Sequence, residues 1–169
     1  MSTIGVAVTV PEPHGSFLRE RRSSFGDRQA EGIPSHVTLL PPTVVDDEEY
    51  AVLLSHLRAV AAAHRPFTMT LRGTGTFRPT SPVVFVQVSR GIPDCEGIEH
   101  DVRRPPLTRA LDFPYHPHVT VAQNLDDDGL DRAYEDLADF TASFEVTAID
   151  LYDERDGSWC TRESFPLGG

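Results

Sequence analysis

Two short stretches of the chain carry the same set of side chains, and that set is suited to acid–base chemistry. Residues 36–39 read HVTL and residues 118–121 read HVTV, so each stretch places a histidine two positions before a threonine. In an extended strand, successive side chains point to opposite faces of the sheet. Each imidazole would therefore share a face with the threonine hydroxyl, with apolar side chains behind. Two such strands could line a polar pocket above a hydrophobic layer.

An imidazole on each wall of one pocket is suited to the cleavage of a phosphate ester without a metal ion. Histidine has an ordinary pKa of about 6.5, so it can accept or donate a proton near neutral pH. One ring could take a proton from water while the other protonates the departing oxygen. The hydroxyls could donate to the non-bridging phosphate oxygens. We predict that His36 and His118 are catalytic and that Thr38 and Thr120 bind phosphate; either histidine could be the base.

The first half of the chain predicts a strand, a helix, the first motif strand and a second helix. We expect a strand at residues 4–10, a helix from His14 to about Ala30, and a motif strand that ends at residues 41–42, because proline cannot donate to a sheet. The acidic run at residues 46–49 suits the start of a helix with one apolar stripe.

A hairpin of residues 67–78 and 83–88 is expected next, with Gly73 and Gly75 marking a bulge or a close backbone approach. The second half repeats this order around the second motif. The remaining predicted elements are helices at residues 98–103 and 107–111, a helix starting at residue 126, and a hairpin of residues 144–152 and 159–165 that turns at Asp156-Gly157.

This repetition predicts the fold class. In each half a motif strand is followed by an acid-capped helix and then by a hairpin. We therefore expect residues 1–169 to form a single domain with a duplicated, two-lobed α+β fold. Its antiparallel sheets would have helices packed outside, and the paired motif strands would face each other across a central cleft.

The composition restricts the partners. The net charge is −11 and the sequence pI is about 4.9, which argues against a protein that tracks along nucleic acid. A small nucleotide or an RNA terminus in a local pocket remains compatible with this charge. We expect no membrane span and no signal peptide. Cys95 and Cys160 are too few for a disulfide framework, so we predict a cytoplasmic protein with reduced cysteines.

The motif pair, with Pro117 before the second histidine and the order of helices and hairpins, resembles the 2H phosphoesterase superfamily over most of the chain. That family includes bacterial 2′–5′ RNA ligases and cyclic nucleotide phosphodiesterases. The resemblance implies a bilobal cleft and metal-independent cleavage, with no cofactor, of 2′,3′-cyclic or 2′–5′ phosphodiester bonds, sometimes with weak reverse ligation of RNA ends. It assigns the acid–base pair to His36 and His118 and phosphate binding to Thr38 and Thr120. The negative charge argues against ligation of large RNA.

Other residues near the motifs have two interpretations. Phe77 and Tyr115 are candidates for stacking on a base or for simple packing, and Arg78 is a candidate for reaching phosphate. The basic cluster at residues 19–22 fits a solvated helix face or a phosphate-steering rim.

His116 and His118 alternate as a metal-ligand pair would, although no third ligand stands at a suitable spacing, so we predict no metal. The alternatives to a phosphodiesterase are a module that binds a nucleotide or RNA end without turnover, a 2′–5′ RNA ligase, and a metal-dependent hydrolase or oxygenase.

Overall fold

The computed structural model describes residues 1–168, which contain two four-stranded antiparallel sheets. The first sheet has the spatial order β2 (His36–Val45), β1 (Ser2–Thr9), β7 (Ala148–Arg155) and β8 (Ser158–Pro166). The second has the order β5 (His118–Gln123), β4 (Val83–Arg90), β3 (Phe67–Thr76) and β6 (Thr141–Val146). The helices are α1 (His14–Ser24), α2 (Tyr50–Ala63), α3 (Ile92–Val102) and α4 (Asp127–Asp136). The predicted two-lobed α+β fold is confirmed.

Both motif strands are edge strands, and the two edges meet. β2 is the outer strand of the first sheet and β5 is the outer strand of the second, and the two strands are in contact. The apolar members of the motifs face the interior, where they are at most 2% exposed: Val37, Leu39, Val119 and Val121. Burial of each such side chain stabilises the fold by about 1.5–3 kcal/mol. The hydrophobic layer therefore fixes which face carries the histidines.

The prediction that Pro41 and Pro42 end the motif strand was wrong. β2 continues through both prolines to Val45. Its register with β1 pairs Leu40 with Val6 and Thr43 with Ile4, so both prolines lie opposite a single residue of β1. Proline is tolerated at an edge strand and at a bulge, because no hydrogen bond of the sheet depends on its missing N–H group.

The helix predicted from His14 to about Ala30 was too long. α1 ends at Ser24, and Gly26 follows with a positive φ of 96°, a backbone conformation that favours glycine. Asp27 then caps a short 3-10 turn at Arg28–Glu31 by accepting a hydrogen bond from the Gln29 N–H group. The local backbone, rather than the apolar spacing, decides where this helix ends.

Three further predictions in the second half were wrong. No helix forms at residues 107–111, which lie in the long loop between α3 and β5, while α3 begins earlier than predicted, at Ile92. Residues 144–152 are not one strand, because the chain leaves the second sheet at Val146 and enters the first at Ala148. The turn at Asp156-Gly157 is confirmed, and both of its residues have positive φ, as a type I′ hairpin turn requires.

The hairpin of β3 and β4 and its glycine bulge are confirmed, with register shifts on either side of Leu71. None of the helices in residues 1–168 has the length and apolar character needed to span a membrane.

Candidate active site

Two pockets meet at the edges of the sheets, and Thr38 lines both of them. His36 and Thr38 line the first pocket, which has about 420 Å³ of open space. Thr38 and His118 line the second, which has about 1340 Å³. β2 and β5, the strands that carry His36 and His118, are in contact. The structure thus brings His36, Thr38 and His118 to one cleft, although they are distant in sequence.

Each catalytic candidate is anchored in the same way. The Nδ1 atom of His36 lies 2.7 Å from the carbonyl oxygen of Pro34, and the Nδ1 atom of His118 lies 2.6 Å from the carbonyl oxygen of His116. A carbonyl can only accept a hydrogen bond, so Nδ1 carries the proton in both rings. This arrangement leaves Nε2 of each ring available for proton transfer. The two motifs therefore match in tautomer as well as in sequence.

Burial lowers the pKa of both histidines below 6.5. For His36 the hydrogen bond to the Pro34 carbonyl opposes this effect, and the positive charge of Arg22 adds to it. For His118 the hydrogen bond to the His116 carbonyl raises the pKa, and positive charge on the His116 and His36 rings lowers it further. Neutral rings are suited to act as bases, and a bound anion would favour the protonated form that an acid needs.

Aromatic rings hold His118. The ring of Phe77 meets it edge-on at 5.0 Å between centroids, and Phe85 lies 5.2 Å away. Phe77 and Phe85 also contact each other at 4.5 Å. His116 stacks on His118 at 5.9 Å with an interplanar angle of 19°. Phe77, a candidate for base stacking, thus packs against a catalytic candidate.

Gly75 makes room for this aromatic cluster. A Cβ atom at this position would lie 2.6 Å from the ring of Phe85, which is far inside van der Waals contact. Gly75 and Phe85 are cross-strand partners in β3 and β4, so the ring lies across the glycine. The close approach that the glycine predicts is confirmed, and it supports the packing beneath His118.

A polar network adjoins His36 instead. His36 is the cross-strand partner of Thr9 in β1. The Thr9 hydroxyl is hydrogen-bonded to the Tyr152 hydroxyl and also donates to the Asp150 carboxylate. Burial is the main cause that raises the pKa of Tyr152, so its hydroxyl stays protonated. The wall beside His36 is therefore polar, whereas the wall beside His118 is aromatic.

A buried ion pair that the sequence patterns did not predict ties the two lobes together. Arg22 donates through Nε to Asp27 at 2.8 Å, and both side chains are at most 8% exposed. The same carboxylate oxygen accepts a hydrogen bond from the backbone N–H group of Gln123, at the end of β5, at 3.0 Å. Loss of one partner of such a pair costs about 3–5 kcal/mol. Arg22 thus has a structural partner, and no local sequence signal identifies it.

The rim candidates have different surroundings. The Tyr115 hydroxyl donates to the Thr38 carbonyl at 2.7 Å, so it links the approach to β5 with β2. Burial raises the pKa of this hydroxyl and keeps it protonated. Arg78 pairs with Asp131 at 2.9 Å and with Asp127 at 3.5 Å on α4. Its reach to phosphate stays a prediction.

Thr120 follows His118 along β5 and is half-buried, opposite Phe85 of β4. Within residues 1–168, neither Thr120 nor Arg78 is among the residues that line the two pockets. The phosphate-binding role of Thr120 therefore stays a prediction. No group of three or more histidine, cysteine, aspartate or glutamate side chains among these described residues is arranged to hold a metal ion.

Comparison with known proteins identifies related folds. E. coli LigT complexed with NADP+ superposes with a TM-score of 0.68 at 19% sequence identity, covering 99% of this chain and 98% of that one. E. coli LigT complexed with 3'-AMP gives a TM-score of 0.66 at 19% identity and covers 99% of each chain. These likenesses establish the shared fold.

Sequence comparison establishes the family. A Bacillus cereus (strain AH820) protein with the name "Putative phosphoesterase" is 27% identical over 141 residues, which is 80% of each protein. The family model of the 2'-5' RNA ligase superfamily matches residues 10–158. Because this match spans most of the chain, the protein belongs to the 2'-5' RNA ligase superfamily, the 2H phosphoesterases that its paired motifs resemble.

Proposed function

We propose that the protein is a metal-independent phosphodiesterase that acts on 2′,3′-cyclic or 2′–5′ phosphodiester bonds of nucleotides or RNA ends. The observation that carries the proposal is the pair of matched histidines. His36 and His118 each hold a proton on Nδ1 and leave Nε2 available at one cleft. Membership of the family supports phosphoesterase or RNA ligase chemistry.

The proposed reaction uses one neutral and one protonated imidazole. The neutral Nε2 takes a proton from water as the water oxygen attacks phosphorus. The bond between phosphorus and the departing ester oxygen breaks, and the protonated Nε2 of the other ring supplies that oxygen with a proton. Both rings then return to their starting states by proton exchange with solvent. Each such transfer contributes about 10² to 10⁴ in rate.

The negative charge of the substrate would favour the protonated histidine that the free site lacks. Burial lowers the pKa of both histidines, so the free protein favours two neutral rings near pH 7. A phosphodiester carries a negative charge, and an opposite charge within a few ångströms favours the protonated form of a histidine. The Thr38 hydroxyl, where the two pockets meet, would donate to a non-bridging oxygen.

A small substrate agrees with the charge of the protein. At a net charge of −11, a long nucleic acid would be repelled, whereas a nucleotide needs only a local site. The 3'-AMP and NADP+ complexes of LigT, a protein of the same fold, support a nucleotide ligand. Because each sheet contributes one histidine, we further propose that both halves of the chain act together as one catalytic domain.

The test is turnover of a 2′,3′-cyclic nucleotide and a 2′–5′-linked dinucleotide by the wild type and by His36→Ala and His118→Ala, each with and without a chelator. We expect hydrolysis that survives chelation and falls by about 10² to 10⁴ in each variant. His100→Ala is the matched control, because that histidine is exposed on α3. Full activity in either catalytic variant would refute the mechanism. An intact ligand after prolonged incubation with wild type would indicate a binding module instead.

A further inference from the structure

The first pocket extends well beyond His36. It is also lined by two small residues of β1, Gly5 and Ala7, and by two aromatic residues, Tyr152 and Trp159. We call this extension the Trp159 pocket; its other wall is formed by Ile33 and Pro34. Nothing in the proposed reaction at His36 and His118 requires this extension.

The small residues on β1 keep the pocket open. A Cβ atom added at Gly5 would lie 3.5 Å from the indole ring, so the ring already approaches the bare backbone at ordinary contact distance. Ala7 is the cross-strand partner of Thr38, which continues the same surface toward the cleft. A larger side chain at either position would take up space along this surface. The pocket is therefore continuous from the phosphate-binding candidate to the indole.

The backbone holds the indole in position. The backbone N–H group of Trp159 donates to the carbonyl oxygen of Gly32 at 2.7 Å. This hydrogen bond joins the start of β8 to the segment that leads into β2. That segment also supplies the Pro34 carbonyl that anchors His36. One short piece of chain thus sets both the imidazole and the wall of the pocket.

The lining favours a flat ring with apolar faces. The hydroxyl of Tyr152 is already engaged with Thr9, so the pocket presents mainly its aromatic and aliphatic surfaces. Aromatic side chains bind nucleobases by stacking, with little dependence on base identity. The pocket also adjoins the proposed site for the phosphate, from which a nucleoside would extend.

We propose that the Trp159 pocket holds the nucleobase attached on the His36 side of the scissile phosphate, with Trp159 as the stacking platform. This inference rests on the proposed function. A cyclic mononucleotide has one base and needs one pocket, whereas the cleft opens from Thr38 into two. The preferred substrate class is therefore a linear diester with a nucleoside on each side, such as a 2′–5′-linked dinucleotide.

Trp159 is the only tryptophan of the chain, so the intrinsic tryptophan fluorescence reports directly on the Trp159 pocket. We expect titration of the His118→Ala variant with a 2′–5′-linked diadenosine to quench the intrinsic fluorescence in a saturable manner. Inorganic phosphate should leave the fluorescence unchanged, since it carries no ring. An unchanged signal at dinucleotide concentrations that saturate turnover by the wild type would overturn the inference.

Kinetics provide an independent test. In Trp159→Ala, we expect the KM for the dinucleotide to rise about tenfold relative to the KM for glycerol 1,2-cyclic phosphate, which has no base. Trp159→Phe retains a ring and should restore most of the difference. Equal KM ratios in the wild type and both variants would overturn the inference.

The two proposals fail differently. Turnover that requires both histidines but does not respond to Trp159 would leave the phosphodiesterase intact and remove the base pocket. Saturable quenching in a wild type without turnover would remove the phosphodiesterase and retain the pocket.

Discussion

The two walls of the cleft share one backbone design and differ in what surrounds it. On both walls a histidine opens an edge strand and binds the carbonyl oxygen two residues earlier through Nδ1. Beside His36 stands Thr9, which belongs to a polar network with Tyr152 and Asp150. His118 instead packs against aromatic rings.

This difference gives the two histidines unequal surroundings, which is a physical basis for the acid and base roles that we propose. Matched tautomers give both rings the same capacity for proton transfer. Their pKa values are lowered mainly by burial, but additional positive charge comes from Arg22 at His36 and from the His116 and His36 rings at His118. Surroundings of different charge and polarity can set one ring as acid and the other as base for a given substrate orientation.

The largest expected effect separates the two roles. We predict that the kcat/KM of the wild type has a bell-shaped pH profile with its maximum below pH 6.5. As pH rises through the lowered pKa values the acid loses its proton, and as pH falls further the base becomes protonated. His36→Gln and His118→Gln should each lose about 10² to 10⁴ in rate, and each should lose a different limb of the profile. Loss of the same limb in both variants would contradict a division into acid and base.

Loss of the Thr38 hydroxyl should lower kcat more than loss of the Thr120 hydroxyl. Thr38→Val removes the hydroxyl where the two pockets meet and should lower kcat by about 10² to 10³, in the range for loss of one donor to developing negative charge. Thr120→Val should have a smaller effect, because this residue does not line either pocket in the described part of the chain. An equal or greater loss in Thr120→Val would reverse this order.

We expect a smaller loss of activity when the packing of the aromatic rings next to His118 is disturbed. Gly75→Ala forces the Phe85 ring to move and, with it, the packing beside His118. We expect kcat to fall by about 10- to 100-fold and the free energy of unfolding to fall by about 1–3 kcal/mol. Gly97→Ala in α3 is the matched control, since its Cβ would meet only an ordinary contact with His64 at 3.5 Å. Unchanged kcat in Gly75→Ala would show that the aromatic packing does not position His118.

Local patterns in the sequence predicted the parts of the site that depend on strand alternation. They identified both motif strands, the long amphipathic helix α2 and the hairpin turn at Asp156-Gly157, because each of these is set by side-chain spacing or by turn chemistry. The continuation of β2 through Pro41 and Pro42 could not be predicted in this way. It depends on the position of β2 at the edge of the sheet, which is a property of the whole fold.

The contacts that support the site could not be predicted from the sequence either. The pair formed by Arg22 and Asp27 reaches Gln123 across the two lobes, and no short-range pattern connects residues so distant in sequence. The indole of Trp159 is likewise brought near the first motif only by the pairing of β1, β7 and β8. The sequence therefore predicted the catalytic candidates, and their positions relative to one another depend on tertiary packing.

The central claim is that His36 and His118 face one bound anion. NMR titration of both imidazoles, in the wild type with and without inorganic phosphate, tests this claim most directly. We predict that both pKa values lie below 6.5 in the free protein, as burial dictates, and that saturating phosphate raises both together. A shift of only one imidazole, or of neither, at saturating phosphate would contradict the claim.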